Sequence, residues 1–322
     1  MTSSTSRFLV AVLAALLPAR ALAGSLFSDD PATLFRGETI SIEPLVGYLR
    51  GTSGEYVYNV PGSGSKLSQL DWSIQALAVG GRVAVRPFDD LTLRGRIWAT
   101  VASDGSMTDY DWLGGYRGHD SWTHRSKSPD TDLGRAWQGD VSAAYKLYDS
   151  DDLALTGIAG FRHYSVKYNA RGGSYIYSTA AFRDSVGMLP AGQLGIAYQQ
   201  WFDTPYVGVG AVYNTADWTV STEIIGSPFV MSRDKDYHAL RTTLFREDFD
   251  MSGMLGASAG LEYRLSPVFS IAGRVEYQKY FEARGGTKIF NGSTGQALTV
   301  PKPGAGADAD TLLLSLGVKG RL

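Results

Sequence analysis

From Phe269 the chain alternates. Phe269, Ile271, Gly273, Val275 and Tyr277 interleave with Ser270, Ala272, Arg274, Glu276 and Gln278, a period of two that places apolar residues on one face and polar ones on the other. Leu91, Leu93, Gly95, Ile97 and Val101 do the same against Thr92, Arg94, Arg96 and Thr100, and Leu312, Leu314, Leu316, Val318 and Leu322 against Ser315, Lys319 and Arg321. Past residue 23 no apolar run reaches the ~18 residues that a spanning helix needs, so if this chain crosses a membrane it does so as a closed barrel. A soluble sandwich alternates too, and loop lengths separate the two. Tight turns at Pro87-Phe88-Asp89-Asp90, Asp149–Asp152, Thr215-Ala216-Asp217 and Ser266-Pro267 take turns with long polar connections, the asymmetry of an outer-membrane barrel. Counting hairpins gives an all-β fold, a ten-stranded antiparallel transmembrane β-barrel with long extracellular loops. The strand centres fall near residues 45, 76, 97, 142, 161, 203, 224, 257, 275 and 315.

The first 23 residues read as a signal peptide. Arg7 gives the positive start, Phe8–Leu17 the apolar stretch, and Ala21-Leu22-Ala23 the small-x-small cleavage signal before Gly24. Residues 24–322 then form a single barrel domain. Removing Arg7 and Arg20 leaves 28 basic against 32 acidic residues, a formal net charge of −4, which argues against a nucleic-acid partner. The absence of cysteine excludes a disulfide framework, a thiolate metal site and a cysteine nucleophile. Glycine (38), tyrosine (18) and tryptophan (7) are the informative excess, because glycine-rich strands and aromatic girdles mark membrane barrels.

The stretch Asp104–Gly134 is long for a mere connection, so function is sought in it and its neighbours. Of the histidines, His163 lies in a strand pattern and reads as a wall residue. His238 closes Asp234-Lys235-Asp236-Tyr237-His238, where an extended backbone puts Asp234, Asp236 and His238 on one face. A carboxylate two residues away can fix the imidazole tautomer and make a usable base. Asp109-Tyr110-Asp111-Trp112 offers a second acidic pair, able to share a proton or hold a water. Each motif alone also reads as a solvated acidic loop. Gly256-Ala257-Ser258-Ala259-Gly260 fits a nucleophile pattern but lies mid-strand, without the strand-turn-helix setting that pattern requires. No HExxH, Walker loop or dinucleotide fingerprint occurs, so neither a metal nor a covalent cofactor is expected.

Ala170-Arg171-Gly172-Gly173-Ser174-Tyr175-Ile176-Tyr177 with Phe182-Arg183-Asp184, Ser68-Gln69-Leu70-Asp71-Trp72 and Pro129-Asp130-Thr131 resemble the omptin family of outer-membrane aspartyl-type proteases. The resemblance is strongest from Asp109 to Tyr206 and weak beyond about Leu240. It implies a barrel extending past the outer membrane, with an active-site groove on the extracellular side and cleavage of peptides and proteins beside Arg or Lys. Carried over by position, the acidic couple falls on Asp109 and Asp111, the acid-histidine dyad on Asp236 and His238, and the pocket for the basic side chain on Glu55 and Asp234. The implied partners are basic substrates, outer-membrane lipid and lipopolysaccharide, which activity is expected to need, and the implied setting is virulence. Two departures stand out. His124 follows Trp122-Thr123 where members carry an acid, which bears on the leaving-group side of the bond. The positions that hold lipopolysaccharide phosphates align with Ser165 and Trp201, with Arg162 or Lys167 as substitutes.

The expected mechanism is water activation by His238, oriented by Asp236, beside Asp109 and Asp111. The rivals are an outer-membrane phospholipase, which needs a serine nucleophile such as Ser258, and a non-enzymatic porin or adhesin. Arg94, Arg96, Arg274 and Glu276 on the inner face would pair across the lumen and fill it.

Overall fold

A computed structural model describes residues 39–322, apart from 61, 63 and 115–117. The signal-peptide reading lies outside the described residues. The chain runs through β1 (Thr39–Tyr58), β2 (Lys66–Phe88), β3 (Leu91–Asp111), β4 (His124–Asp149), β5 (Leu153–Tyr177), β6 (Ser185–Asn214), β7 (Trp218–His238), β8 (Thr243–Phe249), β9 (Ser252–Arg264), β10 (Phe269–Asn291) and β11 (Ala297–Arg321). Every neighbour is antiparallel, and β11 pairs with both β10 and β1, so among the described residues the sheet closes on itself and leaves no edge. β8 and β9 each pair with β7 on one side and β10 on the other. They are two halves of one stave, broken at Asp250-Met251, and the eleven strands therefore make ten staves. Each of the ten strand centres read from the sequence falls inside a strand, and β8 is the segment they pass over.

The burial pattern decides between barrel and sandwich. Leu313 faces inward at 2% exposure while its neighbour Leu314 is 47% exposed, and Leu316 63%. Ile97, Val141, Val207 and Ile271 likewise point outward. The polar partners of this alternation are inside. Arg82 meets Glu43 and Glu276 at 2.5 Å each, Arg96 also pairs with Glu276, Arg94 pairs with Glu223, and Arg162 reaches Asp140 at 2.7 Å. An apolar exterior over a charged interior suits lipid outside and fixed counter-charges within, the reverse of a soluble sandwich. Arg94, Arg96 and Glu276 fill the lumen as expected. Arg274, expected to pair with them, lies on the same inner face and donates to Ser221 at 3.4 Å.

The tight turns at 89–90, 150–152, 215–217 and 265–268 lie at one end, together with both strand termini, where Leu322 N–H donates to Ile40 C=O at 2.9 Å. At the opposite end the long-loop expectation needs correction. β3 runs to Asp111 and β4 starts at His124, so only 112–123 of the 104–134 stretch is a connection, and β7 turns into β8 over 239–242. Strands of 20 to 30 residues exceed the ~9–11 that span a bilayer, so the barrel wall itself continues outward. Above the lipid level neither face of a strand must be apolar, and a polar strand there reads as a loop in the sequence.

Between the two ends the lumen is plugged. Trp72, Trp98, Tyr164, Tyr198, Phe202 and Tyr280 are fully buried. Trp72 stacks on Tyr168 and Tyr198 at 5.1 and 5.4 Å, and Tyr280 on Phe202 at 4.3 Å. Towards the turn end a polar cavity of ≈ 510 Å³ is lined by residues including Arg94, Arg96, Glu223 and Arg274.

Candidate active site

β3 carries Met107, Asp109 and Asp111 on its inner face at the open mouth, two residues apart and so aligned. The strand end is held from both sides. Trp112 N–H donates to Leu67 C=O at 2.8 Å, and Thr123 N–H donates to Asp111 C=O at 2.7 Å. The Ser68 hydroxyl, in register with Asp111, donates to Asp109 Oδ1 at 3.3 Å. Burial first, then the neighbouring Asp111, pushes the Asp109 carboxyl well above the usual carboxylate range, against the Ser68 hydrogen bond. Burial also raises Asp111, opposed by Ser68 and by the charges of His124, Arg241 and His238. Burial raises both carboxyls, so the couple favours holding a proton more than isolated carboxylates would.

Asp234, Asp236 and His238 share the inner face of β7, with Asp234 and Asp236 4% and 2% exposed. His238 Nε2 meets Asp236 Oδ2, and its ring lies 5.2 Å from that of Phe245. β3 and β7 stand four staves apart in the ring, so their ends face each other across the mouth. Electrostatics agree, since Asp236 acts on Asp109 and His238 on Asp111. Glu55 enters from β1, buried, and Asp236, Asp234, Glu247 and Asp109 all add to the effect of burial in raising its carboxyl. All six residues named from the sequence thus converge at one mouth of the barrel, on strand ends rather than loops.

A model of the omptin family matches residues 36–322. The chain belongs to the omptin family of outer-membrane proteases. This omptin is 31% identical over 291 residues to the outer membrane protease IcsP of Shigella flexneri, covering 89% of this chain and 91% of that one. It is 29% identical over 286 residues to the plasminogen activator of Yersinia pestis, with 88% and 90% covered. The crystal structure of the outer membrane protease OmpT from Escherichia coli matches it with a TM-score of 0.83 at 26% identity, over 88% of this chain and 97% of that one.

Other candidates in this omptin separate by face. His124 is the register partner of Asp111, its Nδ1 3.0 Å from Thr123 Oγ1. His163 is a wall residue as expected, its Nδ1 2.6 Å from Asp203 Oδ1. Ser258 lies mid-strand in β9, in register with Glu223 and Glu276 and away from His238 at the rim. Ser165 and Trp201 are register partners, and Ser165 is 2% exposed with Gln199 donating to its hydroxyl at 3.3 Å. Arg162 cannot substitute in a lipid site. It points inward, bonded to Asp140 and, at 2.9 Å, to Gln278, because the two-residue period puts it on the lumen face. Lys167 belongs to a register row, Arg135–Lys167–Gln199–Lys235–Arg246–Lys288, that crosses six staves.

The sequence reading missed Glu247, Ser68, Tyr198 and Arg241. Glu247 is 4% exposed and stands opposite Asp234. Counting back symmetrically from the 239–242 turn would have found it.

Proposed function

We propose that this omptin is an endopeptidase that cleaves next to Arg or Lys with a water activated by acid and histidine, its mouth facing the extracellular side. The observation that carries the reading is the Asp236–His238 pair facing the Asp109–Asp111 couple across one mouth. With Nε2–H held by Asp236, His238 accepts through Nδ1. It takes a proton from a water positioned against the Asp109–Asp111 couple, the hydroxide adds to the scissile carbonyl, and the imidazolium returns the proton to the leaving amine. No covalent enzyme intermediate forms. The proton held on the acidic couple supplies a hydrogen bond to the developing oxyanion.

Glu55 and Asp234 receive the basic side chain through charge-assisted hydrogen bonds. The cationic row on the outer wall, of which Arg135, Lys235, Arg246 and Lys288 are exposed, is the surface for lipopolysaccharide phosphates. A soluble-side occupant is disfavoured by its place on the barrel exterior above the apolar belt.

Replacing His238 by Ala in refolded protein tests the reading, with lipopolysaccharide present and a mixed peptide library as substrate. Loss of cleavage by about 10²-fold or more is expected for removal of a general base. Full peptidase activity from a folded H238A barrel would refute the role.

A further inference from the structure

Three carboxylates close on the space beside Asp236. Glu55 comes from β1, Asp234 from β7 and Glu247 from β8, each 4% exposed. Asp234 and Glu247 are direct partners across the β7–β8 pair, and the charges of both act on Glu55. One oxygen of each, Glu55 Oε2, Asp234 Oδ1 and Glu247 Oε2, is buried with no protein donor among the described residues, and the Asp234 and Glu247 carboxyls lie close enough to share a proton. The second oxygen of Asp234 accepts from the Tyr198 hydroxyl at 2.8 Å, and Gln200 Nε2 donates to that hydroxyl at 2.8 Å and to the Gly54 carbonyl at 3.1 Å. Trp72, stacked on Tyr198, closes the floor. The nearest cations along these strands, Lys235, Arg246 and Lys288, alternate onto the outer face. Three buried carboxylates acting on one another, with no cation among the described residues paired to them, form an acceptor set that suits a cationic side chain.

We propose that Glu247 completes a three-carboxylate pocket built for a guanidinium, so that this protease selects Arg over Lys in the residue before the cut. The proposal rests on the reading that Glu55 and Asp234 hold the basic side chain. A guanidinium offers five N–H donors in a fixed plane and is weakly hydrated, so it can serve three oxygens arriving from three strands. An ammonium offers three donors on a compact and strongly hydrated centre. The groups facing Glu247 are Asp234 and Asp236 on β7, Glu55 on β1 and Thr287 on β10, with Tyr198 of β6 on Asp234. Burial, then the charge of Asp236, raises Glu247 to about 8. An entering cation therefore displaces a proton held among the acids, and KM for an Arg substrate falls as pH rises towards that value.

The test uses three peptides identical except for Arg, Lys or citrulline before the cut, with the wild type, E247Q, E55Q and D234N refolded with lipopolysaccharide. The wild type is expected to favour Arg over Lys. E247Q is expected to lose about ten-fold in kcat/KM on the Arg peptide, mainly through KM, to bring Arg and Lys together and to flatten the pH dependence of KM. An E247Q enzyme with the wild-type Arg/Lys ratio and KM profile overturns the proposal. If the wild type cleaves Arg and citrulline peptides equally, the basic-residue reading itself has failed. If E55Q and D234N erase that discrimination while E247Q keeps the Arg/Lys ratio, Glu247 alone has been misassigned. Should E247Q not fold, competition on the wild type decides. An alkylguanidine must inhibit better than the matching alkylamine, and equal inhibition overturns the proposal.

Discussion

His238 Nε2 meets the carboxylate of Asp236, two residues back along the same face of β7, and Asp236 is itself 2% exposed. A buried carboxylate in that position fixes which ring nitrogen carries the proton. Asp236→Asn keeps the shape but removes the charge that favours Nε2–H. We expect kcat to fall by about 10²- to 10⁴-fold, the range for loss of an oriented base, with β-sheet circular dichroism unchanged. Wild-type kcat from a folded D236N enzyme would remove Asp236 from the mechanism.

The barrel was legible because lipid imposes a strict rule: every outward residue in the belt must be apolar, so Ile271, Val275 and Leu316 announce their strands. The rule lapses above the belt. There Asp104–Asp111 and the stretch after His124 continue as strands in polar sequence, and they read as loop. The dyad was legible as two residues of one face, since a period of two needs no partner strand. Glu247 was not, because its role exists only through register with Asp234, and β8 is a half-stave of seven residues.

The acids of the mouth make stability depend on pH. Burial, then like charges, raises Glu55, Asp109 and Asp234, and Glu247 to about 8. The folded state then binds more protons than the unfolded state, whose carboxyls titrate at ~4. Between those limits stability falls as pH rises. We expect the thermal midpoint of the substrate-free protein in detergent to drop from pH 5 to pH 8, and E247Q to flatten the drop. A midpoint that rises over this range contradicts the assignment.

Arg183 straps two rim connections together. Its guanidinium lies 3.5 Å from the Trp122 ring centre and donates to the Trp122 carbonyl at 3.0 Å and the Asp120 carbonyl at 2.6 Å. Trp122 packs edge-on against Tyr110, which sits between Asp109 and Asp111. The strap is worth roughly 1–3 kcal/mol from one cation–π contact and two hydrogen bonds. Arg183→Ala should lower kcat/KM by about 3- to 10-fold with little change in thermal midpoint, because the strap lies at the rim and not in the wall. Unaltered kinetics would show that the acidic couple is positioned without it.

The cationic row on the exterior predicts how lipid acts. Lys235 and Arg246 are register partners on adjacent staves, both exposed. Reversing both, K235E with R246E, should weaken binding of lipopolysaccharide and raise the concentration giving half-maximal activity by about ten-fold, on the scale of two lost charge-assisted contacts. The inner mouth is untouched by these substitutions, so activity at saturating lipopolysaccharide should recover. Retention of wild-type affinity would place the lipid contact elsewhere.

The aromatic plug separates this protease from a channel. Trp98 and Tyr280 are 2% and 0% exposed, and Tyr280 lies between Phe202 at 4.3 Å and Tyr164 at 5.9 Å, above the ≈ 510 Å³ polar cavity. Cutting both back to Ala removes the side chains that divide mouth from cavity. Each truncation costs about 3–5 kcal/mol in a packed core, but the closed hydrogen-bonded wall survives, because its ladder does not pass through the plug. In a planar bilayer the wild type should be silent and W98A/Y280A should conduct, with the arginines below the plug favouring anions. A wild-type barrel that already conducts would mean that the lumen is open along another path, and that the charged interior is a pore rather than a filling.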